Sequence, residues 1–373
     1  MTIKLLADEN LAGLEQYFGS NIELRTLPGR TLSAADIRDA DALLVRSVTQ
    51  IDEQLLSGSS VRFVGSATIG IDHVDLEYLH NADITFCNAP GSNADSVADY
   101  VCSAISALVP EPGQIADANL RAGVIGLGQV GGRVAKRLTA LGYEVTAYDP
   151  FLNQAACPLV SALEELAECD LISLHVPLSH NGPHPTVRMI DAQFLSCISS
   201  RAILISAGRG EVIDTQDLIA CLRDNPGIHA VLDVWENEPV IDRELLRLAS
   251  IATPHIAGYA IDGKMRGTEM IAEAFYRYFG AQPDVENASN AVCILDCEGQ
   301  ASIRDIILRA YDVREDDWRL RSALNDADIG HAFDLLRKTY PRRREFGVTT
   351  LLTDSSLPTE SRRLLGDLGF TLA

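Results

Sequence analysis

Gly126, Gly128 and Gly131 stand in Gly123-Val-Ile-Gly-Leu-Gly-Gln-Val-Gly-Gly-Arg, and Asp149 closes the next apolar run eighteen residues after Gly131. This spacing reads as strand, tight turn, helix and second strand, the layout of a dinucleotide-binding βαβ unit. Gly126 allows the turn, Gly128 lets backbone approach a pyrophosphate, and Gly131 lets the helix pack close to the sheet. Gln129 and Val130 begin that helix, whose unpaired N–H groups and positive dipole end favour an anion. Asp149 stands where a carboxylate would bond ribose hydroxyls, and Pro150-Phe151 follow it in place of an arginine. A 2′-phosphate would meet a bare negative charge there, so NAD is expected in preference to NADP.

Three further motifs close later apolar runs: Ile205-Ser-Ala-Gly-Arg209, Leu232-Asp233-Val-Trp-Glu-Asn-Glu238 and Thr253-Pro-His255-Ile-Ala-Gly-Tyr259. Open α/β sheets bind ligands outside the carboxyl ends of their strands, so these positions face a bound nucleotide. Taken singly, an Arg-Gly pair, a glutamate before proline and a histidine after Thr-Pro are ordinary loop residues. Their order behind a nucleotide motif is what marks them.

The elements that would carry these residues are legible as short apolar runs alternating with helical patterns. Ile3–Ala7, Ala42–Arg46, Arg62–Gly65 and Ile84–Asn88 read as strands of a first α/β unit, with short helices at Ser33–Asp39 and Ile51–Leu56. Asp95–Val109 reads as an apolar-rich helix ended by Pro110-Glu-Pro-Gly113. Strands at 123–126, 144–148, 171–175, 202–206, 230–234 and 251–253 then make a second α/β series. Lys264–Phe279 reads as an amphipathic helix. The pattern changes after Gln282-Pro-Asp, where Val292–Leu295, Ile303–Ala310, Ala332–Tyr340 and Val348–Leu352 suggest a separate C-terminal piece.

The 373-residue chain has room for two or three domains with sizeable cores. Its net charge of -21 argues against nucleic acid and anionic membrane as partners, since both are polyanions. An anionic substrate would need locally placed cations or N–H donors. The eight cysteines are scattered without a CxxC pair, which predicts reduced thiols and no metal site. The amino terminus lacks the pattern of a secretion signal and reads as a first strand, so a cytoplasmic protein is expected.

With the glycine turn, these motifs resemble the D-isomer-specific 2-hydroxyacid dehydrogenases over roughly residues 1–285. The resemblance implies two Rossmann-like doubly wound parallel-sheet lobes, with a small α+β C-terminal domain beyond them. Residues 1–98 would form the substrate lobe, to which a helix at 259–283 returns; 99–257 would bind NAD; 286–373 would serve dimerisation. It also implies Arg209, Glu238 and His255 as the catalytic set. Oxidation of a 2-hydroxy acid releases the hydroxyl proton as hydride leaves C2, and His255 would take that proton, a role worth about 10²–10⁴ in rate. Glu238 would orient the imidazole. Arg209 would face the substrate carboxylate and the reacting oxygen.

Further cofactor contacts are implied at Val176, Ala207, Gly208, Asp233 and Gly258. Leu44-Val-Arg-Ser-Val-Thr49, Gly65-Ser-Ala-Thr-Ile-Gly-Ile-Asp-His73 and Tyr340-Pro-Arg-Arg-Arg-Glu-Phe346 narrow the likeness to a branch acting on a phosphorylated four-carbon 2-hydroxy acid. Ser47, Thr68, Tyr259 and Arg46 are then the expected substrate contacts, although an ion pair inside the first unit is an equal reading for Arg46. Arg342-Arg343-Arg344 could reach a phosphate or form a solvated or interface face. Other substrates, phosphoglycerate or glycerate among them, and a non-catalytic NAD-sensing scaffold stay open on this reading.

Overall fold

The computed structural model describes residues 2–109, 119–153, 155, 157, 159–283, 292–299, 302–323, 328–353 and 357–373. The breaker at Pro110–Gly113 lies outside them. Two compact units divide the chain: Met1–Asn93 with Ala260–Ala291, and Ala94–Tyr259 with Val292–Ala373.

The first unit is a parallel sheet of β1 (Ile3–Asp8), β2 (Ile22–Leu27), β3 (Ala42–Val45), β4 (Phe63–Ser66) and β5 (Thr85–Asn88), in the order β2-β1-β3-β4-β5. Strand alternation sends Leu5, Ala7, Leu44 and Phe63 to one face, where they meet Phe275 and Tyr276 of the helix Ile261–Phe279. Leu6, Leu43, Val45 and Val64 go to the other face, against Ile37, Leu55, Leu56 and Leu79. Burial on both faces is why these strands read as continuous apolar runs. β2 is absent from the expected elements. It is an edge strand, Ile-Glu-Leu-Arg-Thr-Leu, with three of its six residues exposed.

The second unit holds β6 (Arg121–Ile125), β7 (Glu144–Tyr148), β8 (Leu171–Leu174), β9 (Ile203–Ser206), β10 (His229–Leu232) and β11 (Ile251–Ala252). They form one parallel sheet in the order β11-β10-β9-β8-β6-β7. A single parallel bridge, Ala147 to Val160, adds a vestigial strand outside β7. Counting it, the strands run 3-2-1-4-5-6 with one more at the far edge, the order of a dinucleotide-binding sheet. The switch point of that order falls between β6 and β8.

Residues 292–373 add β12 (Cys293–Asp296), β13 (Thr349–Leu352) and β14 (Thr371–Leu372), also parallel. This small layer shares a core with the nucleotide unit. Ile303, Ile306, Ile307, Phe346, Leu365 and Leu368 pack with Val97, Val101 and Ile105 of the helix Ala94–Leu108 and with Val134 and Leu138 of the helix Gln129–Ala140. Polar bonds reinforce the seam: Phe346 N donates to Asp99 Oδ2 at 3.0 Å and Ser96 Oγ to Glu345 Oε1 at 2.5 Å. The helix Val313–Ala323 also covers the edge strand. Ala252 N donates to Asp317 at 2.7 Å, and Arg321 donates to the carbonyls of Leu246 and Ala249. Covering an edge in this way removes a template for unwanted strand pairing.

Candidate active site

The glycine turn has the geometry its spacing predicts. Gly126 follows β6 with φ +87°, and a Cβ there would fall 2.7 Å from Val176 Cγ1. At Gly131 a Cβ would lie 1.8 Å from the Gly126 carbonyl oxygen, so only glycine allows the helix this close to the turn. Gly128, the residue before Gln129–Ala140, is different: a Cβ there would meet nothing within 4 Å. Open space therefore lies beside the start of a twelve-residue helix, where backbone N–H groups lack partners. Those features fit a dinucleotide pyrophosphate. Val176 sits across the switch point from Gly126.

Asp149 carries two backbone bonds. Its Oδ2 accepts from Leu127 N at 3.0 Å and its Oδ1 from Phe151 N at 3.1 Å. The carboxylate thus holds the glycine turn in place as well as standing at the end of β7. Ala207 N reaches the Leu174 carbonyl at 3.4 Å, and Gly208 packs against the Val176 carbonyl, where a Cβ would come within 2.9 Å. Arg209 is half-buried on the same loop, with Nη1 donating to the Gly208 carbonyl at 2.9 Å. Its neighbour Gly210 lies so close to the backbone of Trp235 that a Cβ would fall 2.0 Å from its carbonyl carbon. The loops after β9 and β10 are locked together at that point.

His255 and Glu238 form a bonded pair. His255 Nδ1 lies 2.8 Å from Glu238 Oε2, while Glu238 Oε1 accepts from Trp235 N at 3.0 Å. An ionised carboxylate only accepts, so Nδ1 carries the hydrogen and Nε2 the lone pair. Burial pushes the Glu238 carboxyl up. The His255 charge and hydrogen bond, the Trp235 N–H and the Arg337 charge together outweigh it, and its pKa lies below the ordinary value.

A depressed folded-state pKa contributes stability above the unfolded value, and that contribution is lost as pH falls through the folded one. A Glu238→Gln variant should therefore be less stable than wild type near neutral pH, by about 1.5–3 kcal/mol, the worth of hydrogen bonds to a charged group. The gap should close on acidification below about pH 4. Melting curves between pH 3 and 7 read this directly, and a gap that widens toward acid would contradict it.

His255 is also in an unusual backbone state, with φ +56°. Asp233 imposes it. The Asp233 carbonyl accepts from His255 N at 2.7 Å, Oδ1 accepts from Thr253 Oγ1 at 2.6 Å and Ile256 N at 2.8 Å, and Oδ2 accepts from Ala257 N at 2.9 Å. Asp233 is buried, with its carboxylate turned into the catalytic loop. Trp235 Nε1 adds a bond to the Thr253 carbonyl at 2.9 Å, and Tyr100 Oη lies 2.9 Å from Thr253 Oγ1. Gly258 and Tyr259 end the loop, both half-buried.

The expected substrate residues divide between the units. Tyr259 shares the second unit with Arg209, Glu238 and His255; Arg46, Ser47 and Thr68 belong to the first. Arg46 makes the ion pair that the sequence left open, with Nε 3.0 Å and Nη2 3.3 Å from the two oxygens of buried Asp8. Ser47 is exposed after β3. Thr68 Oγ1 lies 2.8 Å from Ser66 Oγ, which lies 3.0 Å from His73 Nε2.

The arginine run at 342–344 is no uniform solvated face, since Arg343 is buried over the Tyr311 ring at 4.3 Å. It donates to the carbonyls of Ser96 and Ala257, so the C-terminal segment grips the catalytic loop from behind. Sequence reasoning named Arg343 only within its arginine run and did not single out Trp235, Tyr100 or Arg337. Of these only Trp235 carried a signal, its place inside the Asp233–Glu238 motif. His175 bonds Ser173 through Nε2 at 2.8 Å, and burial pushes its pKa down to about 3, so it is a neutral structural residue.

A dinucleotide sheet with a carboxylate-oriented histidine and an arginine on adjoining loops defines a nicotinamide-linked dehydrogenase. Residues 113–257 match the family described as D-isomer specific 2-hydroxyacid dehydrogenase, NAD binding domain, and 286–369 match a domain of unknown function. The chain is 44% identical to erythronate-4-phosphate dehydrogenase of Pseudomonas entomophila (91% of this chain, 92% of that one). It is 42% identical to the enzyme of that name from Teredinibacter turnerae, over 99% of both chains. D-lactate dehydrogenase of Aquifex aeolicus, solved with NAD and lactic acid, shares the fold at TM-score 0.61 and 23% identity, covering 74% of this chain and 95% of its own. The chain belongs to the D-isomer-specific 2-hydroxyacid dehydrogenases, and within them to the erythronate-4-phosphate dehydrogenases.

Proposed function

We propose that this chain oxidises 4-phospho-D-erythronate at C2 to 2-oxo-3-hydroxy-4-phosphobutanoate, with NAD as oxidant, in the biosynthesis of pyridoxal 5′-phosphate. The observation that carries the mechanism is the 2.8 Å bond between His255 Nδ1 and Glu238 Oε2, which leaves Nε2 as the base. His255 Nε2 takes the C2 hydroxyl proton, and Glu238 stabilises the imidazolium that results. Arg209 faces the substrate carboxylate and the reacting oxygen with a permanent cation, favouring the alkoxide that develops. NAD, when bound, supplies the acceptor for the hydride from C2.

Gly126, Gly128, Gln129, Val130 and Gly131 would hold its pyrophosphate, and Asp149 its adenosine ribose. Val176, Ala207, Gly208, Asp233 and Gly258 would line the rest of its site. Ser47, Thr68 and Tyr259 are the proposed substrate contacts. For Arg46 the pair with Asp8 makes a supporting role the better reading.

NADH absorbance followed with 4-phosphoerythronate, 3-phosphoglycerate and glycerate tests the assignment. Turnover restricted to the first supports it. Preference for either of the others replaces the substrate, and NADH binding without turnover of any 2-hydroxy acid sinks the enzyme reading.

Residues 286–373 are proposed to pair two copies of the chain. Val292 (66% exposed), Ile294 (64%) and Leu352 (38%) put apolar side chains on the outside of the small sheet, a surface suited to a second copy. Sedimentation should find a dimer that an Ile294→Glu substitution weakens; a wild-type monomer at micromolar concentration removes this proposal. A cytoplasmic setting suits the eight free thiols.

A further inference from the structure

The helix Ile329–Lys338 of the C-terminal segment brings Arg337 to Tyr259, four residues beyond His255. Arg337 Nε donates to Tyr259 Oη at 3.1 Å, and its guanidinium carbon lies 5.6 Å from the centre of the Tyr259 ring. Tyr340 meets the same ring edge-on at 5.7 Å. The fork is therefore fixed at its Nε end. Its charge also reaches Glu238, helping to keep that carboxylate ionised, so Arg337 stands close to the catalytic pair. The carboxylates of Glu238 and of Asp334, three residues earlier on the same helix, act on its charge.

A substrate that carries both a carboxylate and a phosphate brings about three negative charges to a chain whose own net charge is -21. Each end needs its own local cation. Arg209 is committed to the carboxylate end by its place on the loop after β9. Of the cations considered from the sequence, Arg46 is engaged with the Asp8 carboxylate and Arg343 with the carbonyls of Ser96 and Ala257, while Arg342 is exposed. Arg337 retains two terminal amino groups in the planar geometry that matches phosphate oxygens.

We propose that Arg337, anchored on Tyr259, is the specificity-determining cation that receives the substrate's phosphate. The inference rests on the reading that the substrate is a phosphorylated 2-hydroxy acid. It gives the C-terminal segment a direct part in substrate choice. The bland alternative is a cation that merely favours the carboxyl end of its helix and props Tyr259.

The experiment is calorimetric binding of 4-phosphoerythronate and of unphosphorylated erythronate to the NADH-loaded protein, in which neither acid can react. Arg337→Met should weaken the phosphorylated acid about 30-fold more than erythronate, in line with loss of charge-assisted hydrogen bonds. Arg337→Lys should recover part of that difference. In turnover, KM for the phosphorylated acid should rise far more than kcat falls. Equal losses for both acids, or no loss, would overturn the proposal, the first leaving Arg337 as a prop for Tyr259. If the methionine variant fails to fold, the lysine variant carries the same comparison, because its planar fork is still gone. The substrate reading is judged separately, by whether wild type turns over the phosphorylated acid at all.

Discussion

Replacing His255 by asparagine should lower kcat by about 10²–10⁴, the usual worth of a positioned general base. Asparagine is the informative choice because its amide can stand where the imidazole Nδ1–H stands and still donate to Glu238. What it cannot do is accept a proton at the position of Nε2. The loop should therefore keep its shape, with NADH affinity and melting temperature close to wild type, while turnover collapses. Stopped-flow measurement of NADH formation separates the chemical step from product release. Full turnover by this variant would show that the proton goes elsewhere and would end the mechanism proposed here.

A second large effect is expected at Asp233, for the opposite reason. This side chain is set to act through the loop it holds. Asp233→Ala leaves the Thr253 hydroxyl and the N–H groups of Ile256 and Ala257 buried without their acceptor. Each such group costs about 1–3 kcal/mol, so a loss of roughly 3–9 kcal/mol in stability is expected. The loop should then relax toward ordinary backbone angles, because a non-glycine residue at φ +56° persists only where its surroundings over-determine it. His255 would leave its place opposite Glu238, and kcat should drop by at least about 10²-fold. Chemical denaturation and single-turnover kinetics on one preparation read both losses. A variant that loses activity but no stability would point instead to direct contact between Asp233 and the cofactor.

Part of this site is legible in the sequence, for identifiable reasons. The demands at Gly126 and Gly131 are steric and local, so they show in residue type and spacing. The motifs holding Glu238 and His255 stood out because each follows a strand whose end faces the ligand, and the family resemblance joined the two residues into a catalytic set. Asp233 was visible as a residue but its task was not. The same motif serves a carboxylate turned toward a cofactor or toward its own loop, and only the loop's closure chooses between them.

Arg343 was hidden for a related reason. Three adjacent arginines look alike in sequence, and the one that enters the interior is chosen by Tyr311 and the Ala257 carbonyl, both remote along the chain. The helix Val313–Ala323 escaped notice because only Val313, Asp316 and Leu320 of its eleven residues are buried. Its stability comes from capping the edge strand, which no local pattern announces. The β2 strand likewise alternates too weakly to stand out beside continuous apolar runs.

The shared core between the nucleotide unit and the last eighty residues has a consequence for how the molecule is made. Val97, Val101 and Ile105 leave the ribosome early, yet their packing partners include Leu365, Leu368 and Phe370 at the very end of the chain. At a synthesis rate of about 5–20 residues per second, the helix bearing them waits roughly 13–50 s for its cover. The first unit waits too, since the face of its sheet that packs Phe63 is closed by Phe275. Neither half can finish folding in order of synthesis, so the nascent chain carries two open apolar surfaces through most of its translation. A ribosome-associated chaperone that shields such surfaces should therefore raise the yield of this protein more than that of a dehydrogenase ending at its nucleotide domain.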